Sequence, residues 1–142
     1  MNRVLLFLVF ATLFSCSKKS TSKFLSNKYT NQDVAPRLQY MIDRLSEGET
    51  LIIDEGEYLL STRLQLVNKS GLTILADGAI LKTQDGATTH KTNSIINIYN
   101  SDEIVIKGLT CDGNRDTRVP AEAFAHAFMI MDSDDILLED VS

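Results

Sequence analysis

Three stretches of this chain repeat one another, and that repetition limits the possible folds more than any other feature. Leu66-Val67-Asn68-Lys69-Ser70-Gly71-Leu72-Thr73-Ile74 aligns with Ile98-Tyr99-Asn100-Ser101-Asp102-Glu103-Ile104-Val105-Ile106 and with Ile130-Met131-Asp132-Ser133-Asp134-Asp135-Ile136-Leu137-Leu138. Each copy is an apolar strand, a polar turn with a serine, and a second apolar strand. Aligned on Ser70, Ser101 and Ser133, the copies lie 31 and 32 residues apart, the first being one residue shorter after its serine. One such unit cannot bury its apolar side alone, so neighbouring copies must stack, as parallel strands at the roughly 4.8 Å spacing of a sheet. The period of two along each strand points Leu64, Leu66, Ile96, Ile98, Phe128 and Ile130 inward. Asn, Asp and Ser between the strands suit sharp bends, because their side chains bond to local backbone.

The segment before the repeats has a different period. Val34, Leu38, Met41, Ile42 and Leu45 recur at helical spacing, which predicts a helix over Asp33–Leu45. Asp33 is placed to cap it, Pro36 falls in the first turn, and Gly48 is placed to end it. Everything after Gly48 reads as short strands: 50–54, 58–60, 64–67, 72–75, 80–82, 95–99, 104–106, 128–131 and 136–138, with Glu55-Gly56-Glu57 as a turn.

Gly48-Glu49-Thr50-Leu51-Ile52-Ile53-Asp54-Glu55-Gly56-Glu57-Tyr58 resembles the first coil of pectate-lyase-like and polygalacturonase-like proteins. Ser70-Gly71-Leu72-Thr73-Ile74 resembles their next coil, and Lys107-Gly108-Leu109-Thr110-Cys111-Asp112-Gly113-Asn114-Arg115 a later one. The resemblance covers residues 33 to 142 and implies an all-β fold: a right-handed parallel β-helix, a solenoid, with an N-terminal capping α-helix. It also implies a polysaccharide partner, expected to be acidic, a lyase or glycoside hydrolase acting on uronate-containing glycans, and calcium as a possible cofactor without a located site. Such folds host many activities, so a non-catalytic carbohydrate-binding or adhesin-type module and a purely structural surface repeat stay open. The resemblance places the main catalytic residues on later coils. No closing element follows Ile136–Leu138, so the chain is expected to be the N-terminal piece of a longer, C-terminally truncated protein.

The first residues have another purpose. Arg3 is followed by a run from Val4 to Phe14 that is apolar except for Thr12. A bilayer span needs about 20 residues, so this run has the length of a secretory signal instead. Leu13-Phe14-Ser15-Cys16 resembles a lipobox, which implies removal of residues 1–15, lipidation of Cys16, and export to the cell envelope with a membrane anchor, expected at the outer membrane. Residues 16–31, rich in Ser, Thr, Asn and Lys, read as a flexible tether, and residues 32–142 as one domain. From residue 16 onward the chain holds 13 basic and 19 acidic residues, a net of −6. That charge argues against nucleic acid as a partner, and an acidic polymer would need a local basic site or a bridging cation. Cys111 reads as a buried thiol with no base near it in sequence.

The stretch Asp112 to His126 interrupts the repeat and carries the candidate site. Asp112 and Asn114 can bond sugar hydroxyls, Arg115 and Arg118 can pair with a uronate carboxylate, and His126 can act as acid or base. Each also has a plain role: an Asp-Gly-Asn turn opening a solvated loop, and a partly buried structural histidine. Asp112, Asn114 and Asp116 alternate like a calcium loop, but Thr117 and Ala123 stand where Gly and Glu are needed. Asp132, Asp134 and Asp135 could be paired catalytic carboxylates, yet Asn68, Asn100, Gly71 and Asp102 stand at the matching turns of the other copies, so turn geometry explains them too. His90 reads as surface. The lipobox reading predicts that cells expressing the chain incorporate labelled fatty acid into it and that Cys16→Ala abolishes the label; label retained in that variant would refute it.

Overall fold

The computed structural model describes residues 21–86, 93–117 and 126–142. Among the described residues there are one α-helix and eleven strands. The order is β1 (Ser22–Leu25), α1 (Ala35–Asp43), β2 (Thr50–Ile53), β3 (Gly56–Leu60), β4 (Leu64–Val67), β5 (Ser70–Leu75), β6 (Ala79–Thr83), β7 (Ser94–Tyr99), β8 (Asp102–Lys107), β9 (Thr110–Asp112), β10 (His126–Met131) and β11 (Asp134–Glu139). They form three sheets, ordered β1-β2-β5-β8-β11, β10-β7-β4 and β3-β6-β9. Every strand pairing within them is parallel.

The register shows how the repeats meet. Leu64 lies opposite Ile96, and Ile96 opposite Phe128; Leu72 lies opposite Ile104, and Ile104 opposite Ile136. The copies therefore stack at a constant 32-residue offset through these two sheets. The alignment on serines is corrected by one position: Ser70 pairs with Asp102, and Ser101 stands opposite Lys69. The Ser101 hydroxyl accepts from the Lys69 N–H at 3.1 Å and donates to Tyr99 O at 2.9 Å. One copy later the Ser133 hydroxyl accepts from the Ser101 N–H at 3.1 Å and donates to Met131 O at 2.8 Å. Each serine thus ties its own turn to the one before it. Lys69 takes the same place in the first copy because its neighbour there is the helix: its ammonium donates to Asp43 O and Leu45 O at the C-terminal end of α1. Those carbonyls have no partner inside the helix, and a cation there also meets the negative end of the helix dipole.

The inward set is the core. Leu64, Leu66, Ile96, Ile98, Ile104 and Ile106 are buried, as the period of two requires. Phe128, Ile136 and Leu138 only pack partly against that core, and Ile130 is 41% exposed, because β10 and β11 are edge strands. At the opposite edge the chain closes its own sheets. β1 pairs with β2. Residues 31–34 lie along β3, with Asn31 N–H donating to Glu57 O, Leu59 N–H to Gln32 O and Val34 N–H to Leu59 O. The Gln39 side chain of α1 serves β4 as a strand would, accepting from the Gln65 N–H at 2.8 Å and donating to Gln65 O at 2.9 Å.

Several expectations change here. Residues 22–29 are not tether: they form β1 and a 3-10 turn over Asn27–Tyr29. Apolar periodicity could not reveal β1, whose Leu25 alone is buried. The helix is shorter than Asp33–Leu45, with Val34 at its N-cap; Asp33 still accepts from the Ala35 N–H, and also from the Ser61 N–H, at 3.1 Å each. Gly48 belongs to the turn into β2, where its N–H donates to Gly71 O. The right-handed parallel β-helix is corrected to the coarser class. The chain is all-β with one helix, its strands lie in three separate parallel sheets, and no closed or solenoid arrangement of those sheets is found among the described residues. A repeat requires like strands to pair, but it does not fix how the resulting sheets are disposed. The expected signal segment 1–15, Cys16, His90 and Arg118 lie outside the described residues.

The corner after β8 is two residues shorter than the one after β5: Leu75 pairs with Lys107, yet Ile80 pairs with Thr110. The shortened corner presses Gly108 (φ 73°) onto Asp77, where an added Cβ would stand 2.9 Å from the Asp77 Cα. Gly86 also has positive φ (68°), but a Cβ there meets nothing within 4 Å. Gly86→Ala is expected to cost about 1 kcal/mol, the left-handed penalty alone, and Gly108→Ala about 2–4 kcal/mol, with backbone overlap added. Urea unfolding of the two variants checks this; equal costs would refute the tight corner.

Candidate functional site

The outer face of β3-β6-β9 gathers polar side chains. Tyr58, Leu60, Ala79, Leu81 and Thr83 point into the core, so Glu57, Leu59, Ile80 and Lys82 take the other face. In β9 the pairings Ile80 with Thr110 and Lys82 with Asp112 put Thr110 and Asp112 on that outer face. Cys111, between them, packs partly against the core, and burial pushes its thiol up to about 12.

Lys82 is the centre of the face. Its ammonium stands 3.7 Å from Glu57 Oε2 and 3.6 Å from Asp112 Oδ2. Both distances exceed direct hydrogen-bond length, so Lys82 meets the two carboxylates as loose ion pairs and its N–H groups can turn to a ligand. Glu57, Leu59, Lys82, Gln84 and Asp85 line an open concavity of about 440 Å³ here. Its lining sets the apolar Leu59 beside hydrogen-bond donors and acceptors.

The Asp-Gly-Asn motif is tied to Asp85, one of the residues lining this concavity. Asp112 Oδ1 accepts from the Asn114 N–H at 2.7 Å, an Asx turn, and Asn114 adopts φ 49°. The Asn114 amide donates to Thr83 O at 2.9 Å and to Asp85 Oδ1 at 2.8 Å. Asn114 is therefore a clamp between the loop and the end of β6, and the second Asp112 oxygen faces Lys82. Arg115 stands exposed in the 3-10 turn Arg115–Thr117. These groups do not fit a calcium ion: Asp112 is turned to its own loop and to Lys82, and Asn114 presents its amide nitrogen to Asp85. Among the described residues no three His, Cys, Asp or Glu side chains converge as metal ligands.

The remaining candidates lie elsewhere. His126 opens β10 opposite Ser94, in a different sheet from Asp112, and is exposed rather than partly buried. Asp132 (φ 48°) and Asp135 (φ 50°) occupy the turn positions held by Asn68 (55°) and Asn100 (47°), and by Gly71 (64°) and Glu103 (51°). The turns interlock, with the Asn100 amide donating to Asn68 Oδ1 at 2.5 Å. Left-handed backbone favours Asn, Asp and Gly, so the aspartates are there for the bend. Sequence reasoning overlooked Glu57, Lys82 and Asp85. Alternation along 79–83 would have placed Lys82 outward, but its pairing with Asp112, 30 residues on, needed the register.

No family model, no curated protein and no solved structure matches this chain. The half-buried Cys111 thiol yields a direct test. Raising a thiol from 9.0 to about 12 lowers its thiolate fraction at neutral pH on the order of 1000-fold. Iodoacetamide is expected to leave Cys111 unmodified in native protein at pH 8 and to label it in urea, as read by mass spectrometry of the Cys111 peptide; rapid native labelling would refute the burial.

Proposed function

We propose that this chain is an exported, lipid-anchored protein of the cell envelope that binds polysaccharide on the outer face of β3-β6-β9. The observation that carries the reading is Lys82 between Glu57 and Asp112, at distances beyond a direct hydrogen bond to either carboxylate, so that its ammonium can donate to a sugar hydroxyl. Sugar rings present hydroxyls that donate and accept at once, and a C–H face that packs on an apolar side chain such as Leu59. The Cys16 anchor and export rest on the lipobox residues; the polysaccharide rests on this face together with the pectate-lyase-like motifs.

Charge narrows the ligand. Glu57, Asp85 and Asp112 outnumber Lys82 on this face, and Arg115 stands apart in its exposed turn. A uronate would meet net negative charge here, whereas a neutral, hydroxyl-rich glycan would not. That balance puts the non-catalytic binding reading ahead of the lyase or hydrolase reading, whose candidate His126 stands on another sheet.

Calorimetric titration of the processed protein with neutral oligosaccharides and with oligogalacturonate tests this. Neutral glycan is expected to bind, with Lys82→Ala or Asp112→Asn weakening it about tenfold, near 1.4 kcal/mol, at unchanged circular dichroism. Unaltered binding in the Lys82→Ala, Asp112→Asn double variant would remove the site. Release of unsaturated products or new reducing ends from a uronate polymer would restore the enzyme reading.

A further inference from the structure

The two ends of the stacked strands differ in charge and in surface chemistry. Residues 17–45 contain six basic and two acidic side chains, and residues 46–142 seven basic and seventeen acidic, so the first segment is net +4 and the rest net −10. The described part of the first segment, from β1 through α1, covers one edge of all three sheets. The far end carries Asp132, Asp134, Asp135, Glu139 and Asp140 on and beside the last strands β10 and β11. Of the described residues, 21–45 hold four basic and two acidic side chains, net +2, and 126–142 hold no basic and five acidic ones, net −5, so the two ends differ in sign.

The basic end is also the one with exposed rings. Phe24 is 63% and Tyr40 60% exposed. Arg44 lies over the Tyr40 ring at 5.0 Å, and Lys28 and Arg37 lie over the Tyr29 ring at 5.0 and 4.2 Å. Not all the charge is available: Lys23 is paired with Glu49 at 2.6 Å, and Asp43 holds Gln39. Lys28, Arg37 and Arg44 remain exposed beside their rings. Aromatic rings with cationic neighbours are the chemistry of a membrane–water interface, where the ring sits at headgroup depth and the cation meets phosphate.

Chain length supplies the second argument. Ser22, the first residue of β1, is six residues from Cys16. Six residues reach at most about 21 Å when fully extended, so an anchor at Cys16 keeps the β1 end near the headgroups. A lone acyl chain binds reversibly, and stable attachment takes a second signal such as a basic patch.

We propose that the layer formed by β1, the 3-10 turn and α1 is a docking face for a bilayer leaflet bearing anionic headgroups, so that the domain stands on the membrane with its acidic last strands pointing away. The proposal rests on the lipid anchor at Cys16 put forward above. It makes the anchored molecule oriented, with the glycan-binding sheet standing to the side of the membrane contact.

The chain contains no tryptophan, so Phe24→Trp creates a single reporter, Tyr40→Trp a second in case the first misfolds, and Leu137→Trp a control on β11. The full chain is expressed in a host that processes exported lipoproteins, its Cys16 peptide is weighed for lipid, and it is reconstituted into brominated vesicles of phosphatidylcholine with or without equimolar phosphatidylglycerol. The expected result is several-fold quenching of Phe24→Trp in phosphatidylglycerol vesicles and little in phosphatidylcholine alone. Leu137→Trp stays unquenched, and Lys28→Glu, Arg37→Glu and Arg44→Glu together abolish the Phe24→Trp signal without releasing the protein. A lipidated protein that floats with the vesicles while both reporters stay unquenched overturns the docking face and leaves the anchor standing. A Cys16 peptide without lipid overturns the anchor, and the docking face with it.

Discussion

Stacking like on like, in parallel and in register, is the constraint on which the rest of this protein depends. At a constant 32-residue offset Leu66 meets Ile98, and Ile98 meets Ile130; Ile74 meets Ile106, and Ile106 meets Leu138. Burying one such side chain fully is worth about 1.5–3 kcal/mol, while a turn hydrogen bond such as those of Ser101 contributes about 1 kcal/mol. The ladders supply most of the energy and the turns supply the register. A slip by one residue would turn every inward residue of a strand outward. The Ser101 and Ser133 bridges, with Asn100 on Asn68, hold each copy where its apolar residues coincide with those of the next.

A stack of parallel strands leaves backbone donors and acceptors open at each edge, and the N-terminal segment answers that problem three times with three devices. A strand covers β2, an irregular stretch covers β3, and the side-chain amide of Gln39 covers β4. The helix supplies Ala35, Leu38 and Ile42 to the core, and its C-terminal carbonyls are met by Lys69 and, at Arg44 O, by Lys23. Burial then falls along the stack, from the closed edge to Ile130 on β10. The same layer that closes the sheets carries the exposed rings and cations, so edge protection and the proposed docking face use one segment.

Much of this was legible in the residues. The repeated copies implied parallel pairing of like strands, and the inward assignments of Leu64, Leu66, Ile96 and Ile98 follow from a period of two. The helix was visible from apolar spacing, though its ends shifted by two residues on either side. What misled were residues with two physical uses. Ser70 matched Ser101 by type but sits one position off, because Lys69 holds the serine's place against the helix. The polar composition of 16–31 suited a tether, yet a strand with only Leu25 buried needs almost no apolar residues. Asn114, expected as a sugar ligand, also clamps its loop, with its amide N–H groups on Thr83 and Asp85.

The all-β class, the repeat, the polar turns and the difference in charge between the N-terminal segment and the rest are written in the residues, because these depend on local spacing and composition. It took the folded chain to set Lys82 between Glu57 and Asp112, Gln39 against β4, and Gly108 on Asp77. Each of those contacts joins residues 25 to 31 positions apart, across a register that varies from 23 residues between β3 and β6 to 30 between β6 and β9. Corner lengths set that register, and their geometry is the sum of many backbone torsions, so a change of two residues in a corner redefines which side chains meet.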